Sequence, residues 1–143
     1  MAELFNAVVD LFNYLSDKLG LPYHELNILI YTFLMPATWW AIVWLRMRRL
    51  LGAALFHLTI PLFHYVQTAQ HSMRFYNANV AALLYLGGNT EDGYIEVSIA
   101  AGIVFPVLIY AAVLLVPVRW LVQLNLALIL INMAWYTWVL TRF

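Results

Sequence analysis

Histidines are the side chains of this sequence best suited to chemistry, and three of the four share one helical face. His57, His64 and His71 follow one another at intervals of seven residues, about two α-helical turns, with Gln67 on the same stripe. Pro61 lies inside this stretch and lacks the N–H that would bond the carbonyl of His57. An imidazole stripe beside an opened carbonyl could relay protons, bind a cofactor or pack between helices.

The spacing limits what these histidines can bind. His57 and His64 would lie about 10 Å apart along a helix, too far for one metal ion, and no carboxylate lies in the apolar segments. A bis-histidine haem needs two ligands at one depth, and within the chain His24 with His71, near the outer surface, is the suitable pair. Three interpretations remain open: a haem, quinone or pigment site, a proton or ion path that uses Gln67, and neutral histidines that hydrogen-bond between helices.

The composition predicts that the protein is located in a membrane. The 143 residues are 65% hydrophobic and 10% charged, whereas a soluble domain has about 25% charged residues. We therefore predict a single, all-α membrane domain, residues 1–143. The zero net charge provides no basic surface for nucleic acid, and the absence of cysteine excludes disulfides and thiol chemistry. No P-loop, GxSxG, HExxH, kinase or Rossmann motif is present, so an enzyme is not predicted.

Helical periodicity and hydropathy predict four transmembrane helices and two amphipathic helices. Ala2–Leu19 has polar residues every three or four positions and is followed by Gly20, which is typical of a capped helix in the membrane interface. Ser72–Gly87 is predicted to be a second surface helix. The predicted spans have about the length needed to cross ~30 Å of hydrocarbon; they are Leu26–Trp44, Leu50–Gln70, Ile95 or Val97 to Val116, and Trp120–Leu140.

Segregated charge predicts the orientation. Arginines occupy the two short turns on one side of the predicted bundle, and all seven acidic residues lie in the segments on the other side. The positive-inside rule then predicts arginine turns in the cytoplasm and both termini outside, in a bacterial inner membrane. The arginines in question are Arg46, Arg48, Arg49 and Arg119.

The chain also has the pattern of a tandem duplication, with repeat units 1–71 and 72–143. Each unit contains a surface helix, a Tyr-x-Glu motif, a proline-containing span, an arginine turn and a second span. Two spans per unit predict parallel repeats about an axis along the membrane normal. The second unit does not keep the histidine stripe, because Ala127 and Ala134 match His57 and His64. The matching pairs, at an offset of 71 and then 70, are Asn6/Asn77, Tyr14/Tyr85, Leu15/Leu86, Tyr23/Tyr94, Glu25/Glu96, Ile28/Ile99, Pro36/Pro106 and Arg49/Arg119.

Two matched pairs could have roles of their own. Glu25 and Glu96 are predicted to start helices, where a carboxylate interacts favourably with the helix dipole, although paired carboxylates could also attract cations. Pro36 and Pro106 lie near mid-membrane and kink their helices. The carbonyls that they free, those of Thr32 and Gly102, are either part of a packing kink or ligands for a cation.

The last predicted span carries a second polar stripe. Asn125 and Asn132 are seven residues apart, and we expect them to make interhelical hydrogen bonds that fix register or to face the histidines. The six tryptophans and Tyr136 lie mostly toward span ends, which is typical of interfacial aromatic belts.

These features predict a structural or accessory subunit of a larger membrane assembly, or a homo-oligomer, because four short spans with few polar groups enclose little volume. Its partners would be the lipid bilayer and other membrane subunits or further copies of the chain. One alternative is a small ion or proton transporter with a histidine-lined face. Another is a haem- or pigment-binding subunit for electron transfer or light harvesting.

Overall fold

A computed structural model describes residues 1–47 and 72–143, and every regular element in these residues is a helix. Three of the helices are 25 residues long and apolar enough to cross a membrane, as expected for a helical membrane protein in a lipid environment. In chain order the helices are α1 (Ala2–Leu19), α2 (Tyr23–Met47), α3 (Ser72–Leu86), α4 (Glu91–Leu115) and α5 (Val118–Arg142), of which α2, α4 and α5 are the long ones. The predicted span at 50–70 lies outside the described residues, together with Arg48, Arg49, His57, Pro61, His64, Gln67 and His71.

Local sequence signals explain where the helices begin and end. The prediction of α1 is confirmed, and Gly20 closes it with φ +65, a left-handed conformation that glycine adopts without strain. Pro22 precedes α2 in an extended conformation, and Thr90 caps the start of α4. The long helices begin earlier than hydropathy predicts, because their first turns carry polar residues such as Glu25 that add no apolar signal.

A π-helical segment precedes the proline in both α2 and α4. The segments are Leu29–Leu34 and Ala100–Val104, and one residue separates each from Pro36 or Pro106. Proline has no N–H and its ring crowds the preceding turn, so a wider turn accommodates it without ending the helix.

Helices α2 and α4 pack side by side and run in the same direction. The Tyr31 hydroxyl donates a long hydrogen bond of 3.5 Å to the carbonyl of Gly102, in the first half of both helices. Farther along, the hydroxyls of Thr38 and Tyr110 lie 2.5 Å apart. At the far end, the Arg46 guanidinium donates to a carbonyl in the last turn of α4. The partners are therefore in similar register along the whole contact.

The main hydrophobic core lies where α2, α4 and α5 meet and contains Trp39, Trp40, Val113 and Leu128. Two of the tryptophans predicted to form an interfacial belt are therefore core residues: Trp39 is 6% and Trp40 is 7% exposed. They lie on the side of α2 that faces its neighbours, which a count of aromatic residues along the chain cannot reveal.

The short helices α1 and α3 lie against the first turns of α4 and α2. Phe5 of α1 packs edge-on against Tyr94 of α4, and Tyr76 of α3 packs edge-on against Tyr23 of α2. Helix α3 also packs on the end of α5, through a small core that includes the fully buried Ala82. The two short helices therefore lie at one end of the three long ones.

Candidate ligand cavity

A cavity of about 540 Å³ lies among all five helices. Its lining extends along α2 from Tyr23 to Trp39 and along α4 from Tyr94 to Ile109. The sixteen steps from Tyr23 to Trp39 correspond to roughly 24 Å of helix axis. The cavity is therefore elongated, and its volume is within the range of about 300–1,000 Å³ that is typical of small-molecule sites.

Aromatic rings line the end of the cavity nearest α1 and α3. The edge-on pairs Phe5–Tyr94 and Tyr23–Tyr76 have ring centroids 5.9 and 6.1 Å apart. Farther in, the rings of Phe12 and Tyr31 stack, with 5.9 Å between centroids and 13° between planes. Flat apolar surfaces with polar edges are therefore available to a ligand.

Most amide groups in the lining are already satisfied by protein. Asn27, Asn79 and Asn132 each donate to the carbonyl four residues earlier, at 2.9 to 3.2 Å. Asn79 also accepts a 3.0 Å hydrogen bond from the indole of Trp135, which connects α3 to α5. These side chains shape the cavity, and each uses one of its two amide N–H donors within its own helix.

Two polar groups of the lining residues have no hydrogen-bond partner within the described part of the chain. They are the Ser98 hydroxyl and the indole N–H of Trp39. An unpaired buried polar group costs about 1–3 kcal/mol and is uncommon enough to need a reason. Both residues line the cavity, so a ligand bound there could supply the missing hydrogen-bond partners.

The described lining is electrically neutral. It contains no Asp, Glu, Lys, Arg or His side chain. Burial, together with smaller contributions from the nearby Tyr23 and Tyr94, raises the pKa of Tyr76 to about 12. The Tyr76 phenol is consequently a protonated hydrogen-bond donor at neutral pH.

The histidine and acids predicted at the outer face lie beside the cavity and do not line it. His24 Nε2 is 4.0 Å from a carboxylate oxygen of Glu25, while His71, its predicted partner, lies outside the described residues. Glu25 occupies the first turn of α2, as predicted. The prediction for Glu96 is wrong, because α4 begins at Glu91 and Glu96 lies beyond its first turn.

The asparagines of α5 were predicted to fix helix register or to face the histidines, and the histidines of the stripe lie outside the described residues. Among the described residues, Asn125 is buried with no partner for its Oδ1, and the Asn132 amide donates to the Leu128 carbonyl of its own helix. Neither side chain makes an interhelical hydrogen bond within residues 1–47 and 72–143, so their role stays a prediction. An asparagine in an apolar helix can reach its own carbonyl four residues back, and this local bond competes with a partner helix. The Asn79–Trp135 bond is the interhelical tie that sequence reasoning missed.

The arginines and prolines also have definite positions. Arg46 bonds to the carbonyl of Val113, and Arg119 lies with its guanidinium 6.0 Å from the Trp120 ring, at the same end of the bundle. The carbonyl of Gly102, four residues before Pro106, is contacted by the Tyr31 hydroxyl. This carbonyl, predicted to be free, therefore has a protein partner.

The fold indicates a helical membrane protein with three helices that could span a membrane, and the described lining of its candidate cavity is uncharged. In the described residues, no group of three His, Asp or Glu side chains is arranged to hold a metal ion. Comparison with protein-family models, curated proteins and solved structures finds no match.

Proposed function

We propose that the protein is a structural or accessory subunit of a larger membrane assembly, or a homo-oligomer. The outward faces of α4 and α5 carry this proposal. In the apolar windows of these helices only 22% and 17% of residues are buried, against 33% for α2. Leu108 and Leu115 of α4 are 59% and 80% exposed, and Leu130 of α5 is 65% exposed. Such faces suit partner helices as well as lipid tails.

We further propose four spans, with residues 50–70 as the second. The directions of the described helices support this topology. Arg46 at the end of α2 lies beside the end of α4, whereas Tyr76 of α3 lies beside the start of α2. The chain must therefore return from one end of the bundle to the other between residues 48 and 71. These 24 residues would extend about 36 Å as a helix, enough to cross ~30 Å of hydrocarbon.

The orientation follows from the arginines. With Arg46 and Arg119 at one end, and the acidic residues of α1 and of the beginnings of α2 and α4 at the other, the positive-inside rule favours a cytoplasmic arginine end. In a bacterial inner membrane both termini would then lie outside. The chain has no cysteine, so single-cysteine variants report location without background. Asp17→Cys should react with an impermeant maleimide added to intact spheroplasts, and Val118→Cys only after lysis. The reverse pattern would invert the proposed orientation.

The duplication into residues 1–71 and 72–143 is supported by reciprocal contacts. Adding 71 to Phe5 and subtracting 71 from Tyr94 gives Tyr76 and Tyr23, and both pairs are edge-on ring contacts with similar spacing. Tyr31 contacts Gly102, the residue at the equivalent position of the second unit, 71 residues later. Contacts between equivalent positions are expected beside a two-fold axis, which would pass between α2 and α4 along the membrane normal.

Cross-linking in native membranes tests the assembly role. We would introduce single cysteines on the outward faces, at Leu108 and Leu130, and treat membranes with a membrane-permeant bifunctional maleimide. Adducts of twice the mass of the chain indicate a homo-oligomer, and adducts of one other fixed mass indicate a partner subunit. A cysteine at Ala82, which is fully buried, is the matched control and should give no adduct. A chain that remains monomeric at every outward position contradicts the proposal.

A further inference from the structure

We propose that the cavity among α1 to α5 binds a neutral, lipid-soluble molecule whose polar atoms are carbonyl oxygens. This site does not depend on the assembly proposed above. It is argued from the shape of the cavity, the charge of its lining and the type of hydrogen-bonding groups that remain available there.

The shape favours a chain-like or flat molecule. The lining extends roughly 24 Å along α2 around a volume of about 540 Å³. An elongated space of this volume suits a hydrocarbon chain, or a flat ring that carries one.

The charge of the lining excludes ionic ligands. A charged group moved into an apolar site needs a counter-charge or several hydrogen bonds, and no charged side chain lines the described cavity. A phospholipid head or a free fatty acid would lose its hydration without compensation. A neutral molecule from the bilayer loses little solvation free energy when its apolar part moves from lipid into the cavity.

The polar groups at one end of the cavity include hydroxyl donors. Tyr76 and Tyr94 line the end near the surface helices, and the Ser98 hydroxyl lies one turn beyond Tyr94 on α4. Each neutral hydroxyl can donate one hydrogen bond, whereas a carbonyl oxygen only accepts. A ligand with carbonyl oxygens would thus satisfy the unpartnered Ser98 hydroxyl and leave no donor of its own unpaired.

The same chemistry occurs in two sources, prenylated quinones and neutral acylglycerols. The stacked rings of Phe12 and Tyr31 offer a planar surface to a quinone ring. Ester carbonyls of an acylglycerol can accept from the same hydroxyls. We would measure both with the full chain in dodecylmaltoside micelles, by quenching of tryptophan emission with decylubiquinone and by displacement of this probe with diolein.

Matched substitutions locate the binding. Ala101 on α4 and Ala127 on α5 are both exposed, but only Ala101 lines the cavity. We expect Ala101→Phe to raise the Kd of decylubiquinone at least tenfold, and Ala127→Phe to leave it unchanged. Ser98→Ala removes the hydroxyl without adding volume, so it should weaken binding two- to tenfold even if Ala101→Phe disturbs folding.

The outcomes separate the sources and can overturn the proposal. Displacement by diolein indicates a site for neutral carbonyl lipids in general, and saturable quenching without displacement indicates a quinone. Saturable binding of diolein alone, measured by mass spectrometry after desalting, indicates an acylglycerol. Quenching that does not saturate, with no retained diolein, overturns the proposal. Equal affinity of the Ala101→Phe and Ala127→Phe variants, or equal binding of phosphatidylglycerol, also overturns it.

Discussion

Gly87 and Gly93 approach each other closely where α3 is joined to α4, and the substitution Gly93→Ala should force this turn open. A Cβ at Gly93 would lie 1.9 Å from the carbonyl oxygen of Gly87, where ordinary contact begins at 3.4 Å. The turn would have to open by about 1.5 Å. Its other neighbours are a backbone carbon at 2.7 Å and the Thr90 hydroxyl at 2.8 Å, so no flexible side chain can simply move aside.

The cost can be worked out from the bonds that hold this turn. The Thr90 hydroxyl accepts from the N–H of Gly93 and donates to the carbonyl of Gly87, both at 3.1 Å. Opening the turn breaks both bonds, each worth about 0.5–1.5 kcal/mol, and strains the backbone by about 1 kcal/mol. We expect the free energy of unfolding to fall by about 2–4 kcal/mol.

Gly88→Ala is the matched control for this prediction. Gly88 lies in the same turn with φ +69, but a Cβ there meets nothing within 4 Å. The substitution should cost only the left-handed conformational penalty, about 1 kcal/mol. Unfolding would be followed by circular dichroism as the mole fraction of sodium dodecyl sulfate rises in mixed micelles. If Gly93→Ala is no less stable than Gly88→Ala, the close approach of the two glycines is refuted.

Three further predictions concern the cavity and its surroundings. Double-mutant cycles with leucine at Phe5 and Tyr94, and at Tyr23 and Tyr76, should give similar coupling energies of about 0.5–1.5 kcal/mol; coupling in one pair alone would argue against the duplication. The pKa of Tyr76, raised to about 12 by burial, lies above the value near 10 of an unfolded tyrosine. The unfolded chain therefore loses this proton first, so the free energy of unfolding should fall as pH rises from about 10 to 12, and Tyr76→Phe should reduce that fall relative to Tyr94→Phe. Asn79→Leu removes the acceptor for the indole N–H of Trp135 and should lower the free energy of unfolding by about 1 kcal/mol. It should also change tryptophan emission, whereas Asn27→Leu should not.

The class of protein and most helices could be predicted from sequence alone. A polar residue every three or four positions, with Gly20 after the last turn, is sufficient to predict α1, because helical period and C-cap are local properties. Long apolar runs identify α2, α4 and α5, since crossing a bilayer depends on length and hydropathy. Helix starts were less accurate, as Glu96 shows, because a polar first turn such as the one beginning at Glu91 carries no hydropathy signal.

Only the tertiary structure decided which side chains meet. Ser98 and Trp39 have nothing unusual in their sequence neighbourhoods, and their unpaired polar groups become evident only when the helices are packed around the cavity. The histidine stripe was conspicuous because its spacing is local, whereas the cavity combines residues from five helices. Hydropathy and periodicity describe one helix at a time, while a cavity depends on the relative positions of several helices. For this reason the sequence determined the spans and the structure determined the candidate site.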